Sequence, residues 1–213
     1  MPRLRVTEIF RSLQGEGLDA GVPTLFVRLS GCPLRCTWCD TAYAFKGGAW
    51  MDLDSVLQRA RAAATRHVCV TGGEPLAQSA CPPLLSALCD AGHAVSLETS
   101  GALDLSPVDP RVTRVMDLKA PASGESGRNR YANLDLLRER DQVKIVIAGR
   151  EDYLWARERV RVHALSGRCH VLFSPAAGLQ DPSELAAWIL ADGLEVRLQL
   201  QLHKLLWGDR PGV

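Results

Sequence analysis

Short runs of β-branched and aliphatic residues recur along this chain with helical patterns between them, and that alternation restricts the fold more than any other feature. TLFVRLS (24–30), HVCVTGG (67–73), AVSLET (94–99), VMDLK (115–119), QVKIVIAG (142–149), HVLFSP (170–175) and EVRLQLQL (195–202) read as strands. Of the helical patterns, 53–66 sets Val56, Leu57, Ala60 and Ala64 on one stripe, and 181–193 opens on Asp-Pro and closes at Gly193. Strand–helix alternation implies right-handed crossovers and a parallel sheet. About six such units fit, too few for a closed eight-unit barrel. The expected fold is therefore α/β, a partial (β/α)6-type barrel, with one domain over residues 1–213. In such folds the site gathers at the carboxyl ends of the strands. SGC, TGGEP, ETSG, DLKAP and SPAAG all fall at strand ends, so they are expected at one mouth.

Composition removes several classes of function. The chain has 213 residues, 46% hydrophobic and 23% charged, with a formal net charge of +1. It lacks the basic excess that nucleic-acid or membrane-surface binding usually shows, so neither partner is expected. MPRLRVTEIFRSLQGEG has no apolar run of the secretory kind, and no stretch approaches the roughly 18 apolar residues of a membrane span. A cytoplasmic location is expected. In that reducing setting seven cysteines argue for metal binding, catalysis or plain burial over a disulfide framework.

Three of the seven lie in SGCPLRCTWCDT (30–41), spaced Cys32-x-x-x-Cys36-x-x-Cys39. A structural zinc site wants four ligands, commonly as two paired knuckles. The other cysteines supply no second knuckle: Cys69 is inside a strand, Cys81 and Cys89 share a helical stretch, and Cys169 follows SGR. They are expected to be small buried side chains. Three thiolates in a tight loop suit a 4Fe-4S cluster with one iron lacking a protein ligand. A zinc-stabilised binding module without catalysis is the alternative from a different class.

The CxxxCxxC loop with Trp38 before its last cysteine, together with TGGEP (71–75) on the next strand, resembles the radical S-adenosylmethionine (SAM) superfamily. Within it, IFRSLQGEG (9–17), GVPTLFVRLSGC (21–32), the WCDT ending and RLQLQLHKLLW (197–207) resemble the 7-carboxy-7-deazaguanine synthase family, over about residues 4–207. DLKAP also resembles the glycyl-radical-enzyme activases, a second reading within the same superfamily.

The synthase resemblance implies a lyase of queuosine and deazapurine biosynthesis. One electron cleaves SAM to methionine and a 5′-deoxyadenosyl radical, which takes hydrogen from C6 of 6-carboxy-5,6,7,8-tetrahydropterin. The ring then contracts and ammonia leaves. The same resemblance assigns the residues. Cys32, Cys36 and Cys39 hold the cluster and Thr41 binds Mg2+. Leu13, Gln14, Gly15, Glu16, Arg28, Thr71 and His203 contact the pterin, with the Arg28 fork on its carboxylate. Trp38, Cys39, Asp40, Gly73, Ser100, Asp117, Leu118, Lys119, Ser174, Pro175, Ala176 and Ala177 receive SAM. Lys119 has an alternative as a structural partner of Glu98, and His203 one as a structural residue of a strand. The family pattern has Ser-Pro-Lys where this chain has Asp117-Leu118-Lys119, and Gln-Pro where it has Ser174-Pro175-Ala176. An electron donor such as flavodoxin or ferredoxin and a homodimeric assembly are further expectations of the resemblance.

Overall fold

The structure is a computed structural model and describes residues 2–208, 210 and 212. Its strands are β1 (Arg3–Leu13), β2 (Pro23–Leu29), β3 (Ala49–Asp52), β4 (His67–Gly72), β5 (Ala94–Thr99), β6 (Thr113–Asp117), β7 (Gln142–Ile147), β8 (His170–Pro175) and β9 (Arg197–Leu198). They form one open sheet in the order β3-β1-β2-β4-β5-β6-β7-β8-β9. From β2 to β9 every pairing is parallel, while β1 pairs antiparallel with β2 and with β3. The expected parallel α/β sheet is present and unclosed.

Alternation along each strand sorts the two faces. Val27, Val70, Leu97, Met116, Ile145 and Phe173 belong to the buried core, packed with Leu84, Leu85 and Leu88 of α2 (Cys81–Asp90) and Tyr153 of α3 (Arg150–Val162). The neighbouring positions Phe26, Arg28, Thr71, Glu98, Asp117, Lys144 and Ser174 line a cavity on the other face. A period of two thus puts an apolar layer under the helices and a polar layer around the site.

The crossovers differ from one another. α1 (Leu53–Ala62), α2, α3 and α4 (Pro182–Ala191) carry four of them. Between β5 and β6 there is no helix among the described residues, and between β6 and β7 there are only 3-10 turns, at Pro121–Ser123, Ser126–Arg128 and Tyr131–Leu136. α4 starts as its Asp-Pro signature predicts: Asp181 caps it by accepting from the Ser183 and Glu184 amides at 2.7 and 3.1 Å.

Two expectations are corrected. The helix over 53–66 ends at Ala62, because Ala64 takes a left-handed φ of 50° and is exposed. Of the strand over 195–202 only Arg197–Leu198 pairs with β8, and Leu202–Trp207 is helical (α5). The cause is that this segment leaves the sheet edge to meet the N-terminal loop. Gln199 Oε1 accepts from the Gly17 amide at 2.6 Å, and the Leu202 amide donates to the Gly15 carbonyl at 2.9 Å.

Candidate active site

The mouth of the sheet holds a cavity of about 680 Å3, within the size range of small-molecule sites. Every site residue named from the sequence lines it except Leu118. Leu118 is 2% exposed and belongs to the hydrophobic core, with its amide donating to the Lys144 carbonyl at 2.9 Å. Its assignment to SAM is corrected on that ground: the step past Asp117 turns its side chain away from the cavity.

The cysteine loop follows β2, and glycines set its approach to the loop after β4. Gly72 has a φ of +151°, and a Cβ there would lie 2.2 Å from the Leu29 carbonyl oxygen. A Cβ on Gly73 would meet the Gly31 oxygen at 2.3 Å. Only glycine permits this contact of backbone on backbone. The Gly73 and Glu74 amides then donate to the Leu29 and Gly31 carbonyls at 3.2 and 2.8 Å. Glu74 is fully buried and its carboxylate accepts from the Leu76 and Ser100 amides at 3.0 and 2.7 Å and from the hydroxyls of Thr99 and Ser100. It therefore locks the TGGEP and ETSG loops together, and the Ser100 hydroxyl is turned to Glu74. The turns between β6 and β7 brace the cysteine loop from outside: Thr37 donates its amide to the Ser123 carbonyl at 3.1 Å, and Arg35 donates its amide to Glu125 at 2.5 Å.

Cys32, Cys36 and Cys39 are free, partly exposed thiols on one cavity wall. Burial raises Cys32 and Cys36 above the usual thiol range, against a lowering by the Lys119 charge, and each feels Cys39. Among the described residues, no group of three or more His, Cys, Asp or Glu is placed to hold a single metal ion. Three free thiols on one loop at the mouth of the cavity fit a 4Fe-4S cluster in which each thiolate binds a different iron. Cys69 and Cys81 are fully buried, Cys169 is 7% exposed, and Cys89 packs partly buried against the core. Burial pushes Cys169 up to about 11 and Cys81 further, so these thiols are inert packing groups.

Elsewhere in the cavity lining Arg28 faces its cross-strand partner Glu8, with Nε 2.7 Å from the carboxylate. The Tyr43 hydroxyl donates to the same oxygen at 2.8 Å. Burial opposes the Arg28 charge, but Glu8, Tyr43 and Glu98 outweigh it and keep the guanidinium charged. Glu8 takes Nε, so the terminal nitrogens of the fork remain for a ligand carboxylate. Gln14 spends its side chain internally: Nε2 donates to Glu98 at 3.3 Å and Oε1 accepts from the Glu16 amide at 3.2 Å. Thr71 donates its hydroxyl to Glu98 at 2.8 Å.

His203 stands on α5, not in a strand, and packs on Gly15 so closely that a Cβ there would lie 2.1 Å from its Nδ1. Asp40 accepts from the Thr41 hydroxyl at 2.7 Å and lies 3.9 Å from Lys204 Nζ. Burial would raise Asp40, yet the Thr41 hydrogen bond and the charges of Lys204, Lys144 and His203 hold it below the usual carboxylate range. Lys119 pairs with Asp117 at 3.0 Å, not with Glu98; Asp117 lies two positions before it, at the end of β6.

The sequence reading missed Glu8, Phe10, Phe26, Tyr43, Glu98, Lys144 and Gln201, all of them in or beside the cavity. A signal existed for some of them. Glu8 and Phe10, Phe26 and Arg28, and Lys144 and Val146 stand two apart on strands whose intervening residues face the other way.

A sheet that is parallel from β2 to β9, with three thiols at its mouth beside a tight glycine turn, fits the radical SAM class of enzyme. The Radical SAM superfamily model matches residues 26–119. The chain is 48% identical over 99% of its length to 7-carboxy-7-deazaguanine synthase of Chlorobaculum tepidum, covering 97% of that protein. It is 44% identical to the Koribacter versatilis protein of the same name, covering 96% of this chain and 97% of the other. A crystal structure of QueE from Escherichia coli superposes with a TM-score of 0.73 at 22% identity, covering 94% and 95% of the two chains, which shows the shared fold. The chain belongs to the 7-carboxy-7-deazaguanine synthase family. A 4Fe-4S cluster and SAM are its cofactors, and the activase and zinc-module readings fall with that membership.

Proposed function

We propose that this cavity converts 6-carboxy-5,6,7,8-tetrahydropterin to 7-carboxy-7-deazaguanine with loss of ammonia, the reaction of its family. The observation that carries the reading is that Leu13–Glu16, Arg28, Thr71 and His203 share one cavity wall system with Cys32, Cys36 and Cys39, from segments as far apart as β1 and α5. Cys32, Cys36 and Cys39 would hold the cluster, which would supply the one-electron reductive chemistry that the conversion needs.

The protein's own residues position and exclude. Arg28, fixed by Glu8 and Tyr43, holds the pterin carboxylate. Glu16, Gly15 and His203, clamped together by the return of α5, meet the pterin ring. On the other side Gly73, Asp117 and Lys119, with Ser174, Pro175, Ala176 and Ala177, receive SAM, beside Trp38 and Asp40. Thr41 offers one oxygen to Mg2+, whose remaining positions go to water and the substrate carboxylate. Residues 1–213 act as one domain, supported by the single sheet and continuous core. A homodimer is supported by the exposed leucines of α4, β9 and α5, Leu190, Leu198, Leu205 and Leu206, and electrons come from a donor such as flavodoxin or ferredoxin. No helix among the described residues is long and apolar enough to cross a membrane, which is compatible with work in the cytoplasm.

The test is an anaerobic assay of the reconstituted protein with the pterin, SAM, Mg2+ and a reductant, read by mass. 7-Carboxy-7-deazaguanine is expected with 5′-deoxyadenosine and methionine. SAM cleavage with the pterin recovered unchanged would refute the assignment.

A further inference from the structure

Lys144 is the one cation on the inner face of β7, in the cavity wall and 13% exposed, and it stands between the two halves of the site. Its ammonium donates to Glu16 and lies 3.6 Å from Asp117 Oδ1, beyond ordinary hydrogen-bond reach. That Asp117 oxygen is buried and has no hydrogen-bond partner, while the other binds Lys119 at 3.0 Å. Burial works against the Lys144 charge, but Asp117, Glu16 and Glu98 outweigh it and keep the amine protonated.

We propose that Lys144 is a positioning residue shared by the pterin and SAM halves of the site, an assignment that rests on the functional reading above. Two arguments carry it. The first is geometric: one ammonium fixes Glu16 on the pterin side and stands 3.6 Å from the unpartnered oxygen of Asp117 on the SAM side. The second is electrostatic. The Lys144 ammonium is held among Asp117, Glu16 and Glu98 in the wall of a cavity that must admit the carboxylates of both methionine and the pterin. Arg28 is engaged by Glu8, and Lys119 pairs with Asp117. Without Lys144, Glu16 would lose the cation it pairs with and Asp117 one of its two, so each anionic ligand would meet more negative charge on its own side of the site.

The test is anaerobic calorimetry on the cluster-reconstituted protein, without reductant, titrating SAM and 6-carboxytetrahydropterin separately. Lys144→Met should retain the cluster absorbance, since the thiols lie elsewhere, and weaken both ligands by about 10-fold or more. Lys144→Arg should restore both to within about 3-fold, as a retained charge requires. Where Lys144→Met alone does not fold, Glu16→Gln/Lys144→Met, which removes the pair together, replaces it. The double variant should then bind SAM about 10-fold more weakly than Glu16→Gln alone. Weakening of one ligand only, or a lowered melting temperature with both affinities unchanged, overturns the proposal. Wild-type protein that does not bind the pterin overturns the functional reading and this inference with it. Wild-type binding of both ligands with unchanged variants overturns this inference alone.

Discussion

The two walls of the cavity are held by different physics. The wall around the cysteines is a backbone construction: Gly72 and Gly73 press on Leu29 and Gly31, and Glu74 ties the loop after β4 to the loop after β5. Its contacts are set by backbone conformation and by one buried carboxylate. The rest of the lining is a side-chain construction, in which Glu8 holds Arg28, and Lys144 and Gln201 hold Glu16 across 128 and 185 residues of sequence. A backbone wall suits a ligand and cluster chemistry common to a superfamily. A side-chain wall can be rewritten for one substrate. The comparison predicts that substitutions in the first wall disable the protein, whereas those in the second change what it binds.

The largest effect is expected at the thiols. Cys32→Ala, Cys36→Ala or Cys39→Ala should abolish cluster assembly and turnover, while Cys81→Ala and Cys89→Ala, which alter packing only, should leave the cluster in place. Iron and sulfide content with the visible spectrum reads this directly. Equal loss from both sets would contradict the sorting of the cysteines.

Next comes the backbone. Gly72→Ala puts a methyl group into a carbonyl oxygen that cannot step aside, at a φ that L-residues rarely adopt. We expect a loss of about 3 kcal/mol, which thermal melting would show as a fall of roughly 10 °C in a chain of this size, with SAM binding lost alongside. A stable Gly72→Ala protein that binds SAM normally would show that the first wall tolerates adjustment, and the contrast between the walls would fail.

These walls also differ in how far they could be read beforehand. CxxxCxxC and TGGEP are local strings whose chemistry lies within a few residues, so the cysteine wall was legible. The strand cores were legible too, because buried parallel strands read as aliphatic runs. The tail was not: 195–202 has the alternation of a strand, but at a sheet edge the long-range contacts of Gln199 and Gln201 with Gly17 and Glu16 decide its path. Glu8 and Lys144 escaped notice for the same reason, since a charge in a strand declares its partner only once register is known.

The second wall should respond in affinity. Arg28→Lys replaces a planar fork by a point charge, and loses the guanidinium faces now set 5.8 and 5.9 Å from the Phe10 and Tyr43 ring centres. The KM for the pterin should rise by about 10-fold, that is about 1.4 kcal/mol, with SAM affinity and cluster content unchanged. Steady-state kinetics beside SAM calorimetry separates these. A fall in SAM affinity of the same size would mean that Arg28 serves both walls.

The smallest effect is expected at Thr41, where the walls meet. Its hydroxyl donates to Asp40, so the oxygen's lone pairs are left to accept, and a hard cation can take one. One hydroxyl is far short of the six oxygens magnesium prefers. With Mg2+ at Thr41, as proposed, the substrate carboxylate is expected to help complete the shell, so magnesium and pterin should strengthen each other's binding by the same factor, as linkage requires. Thr41→Val removes the oxygen at nearly constant volume. It should abolish that mutual strengthening and lower turnover by a few-fold, while SAM binding stays as it was. Calorimetry of Mg2+ with and without the pterin tests this under anaerobic conditions. Tight Mg2+ binding to the pterin-free protein would place the ion on other residues and detach it from the second wall.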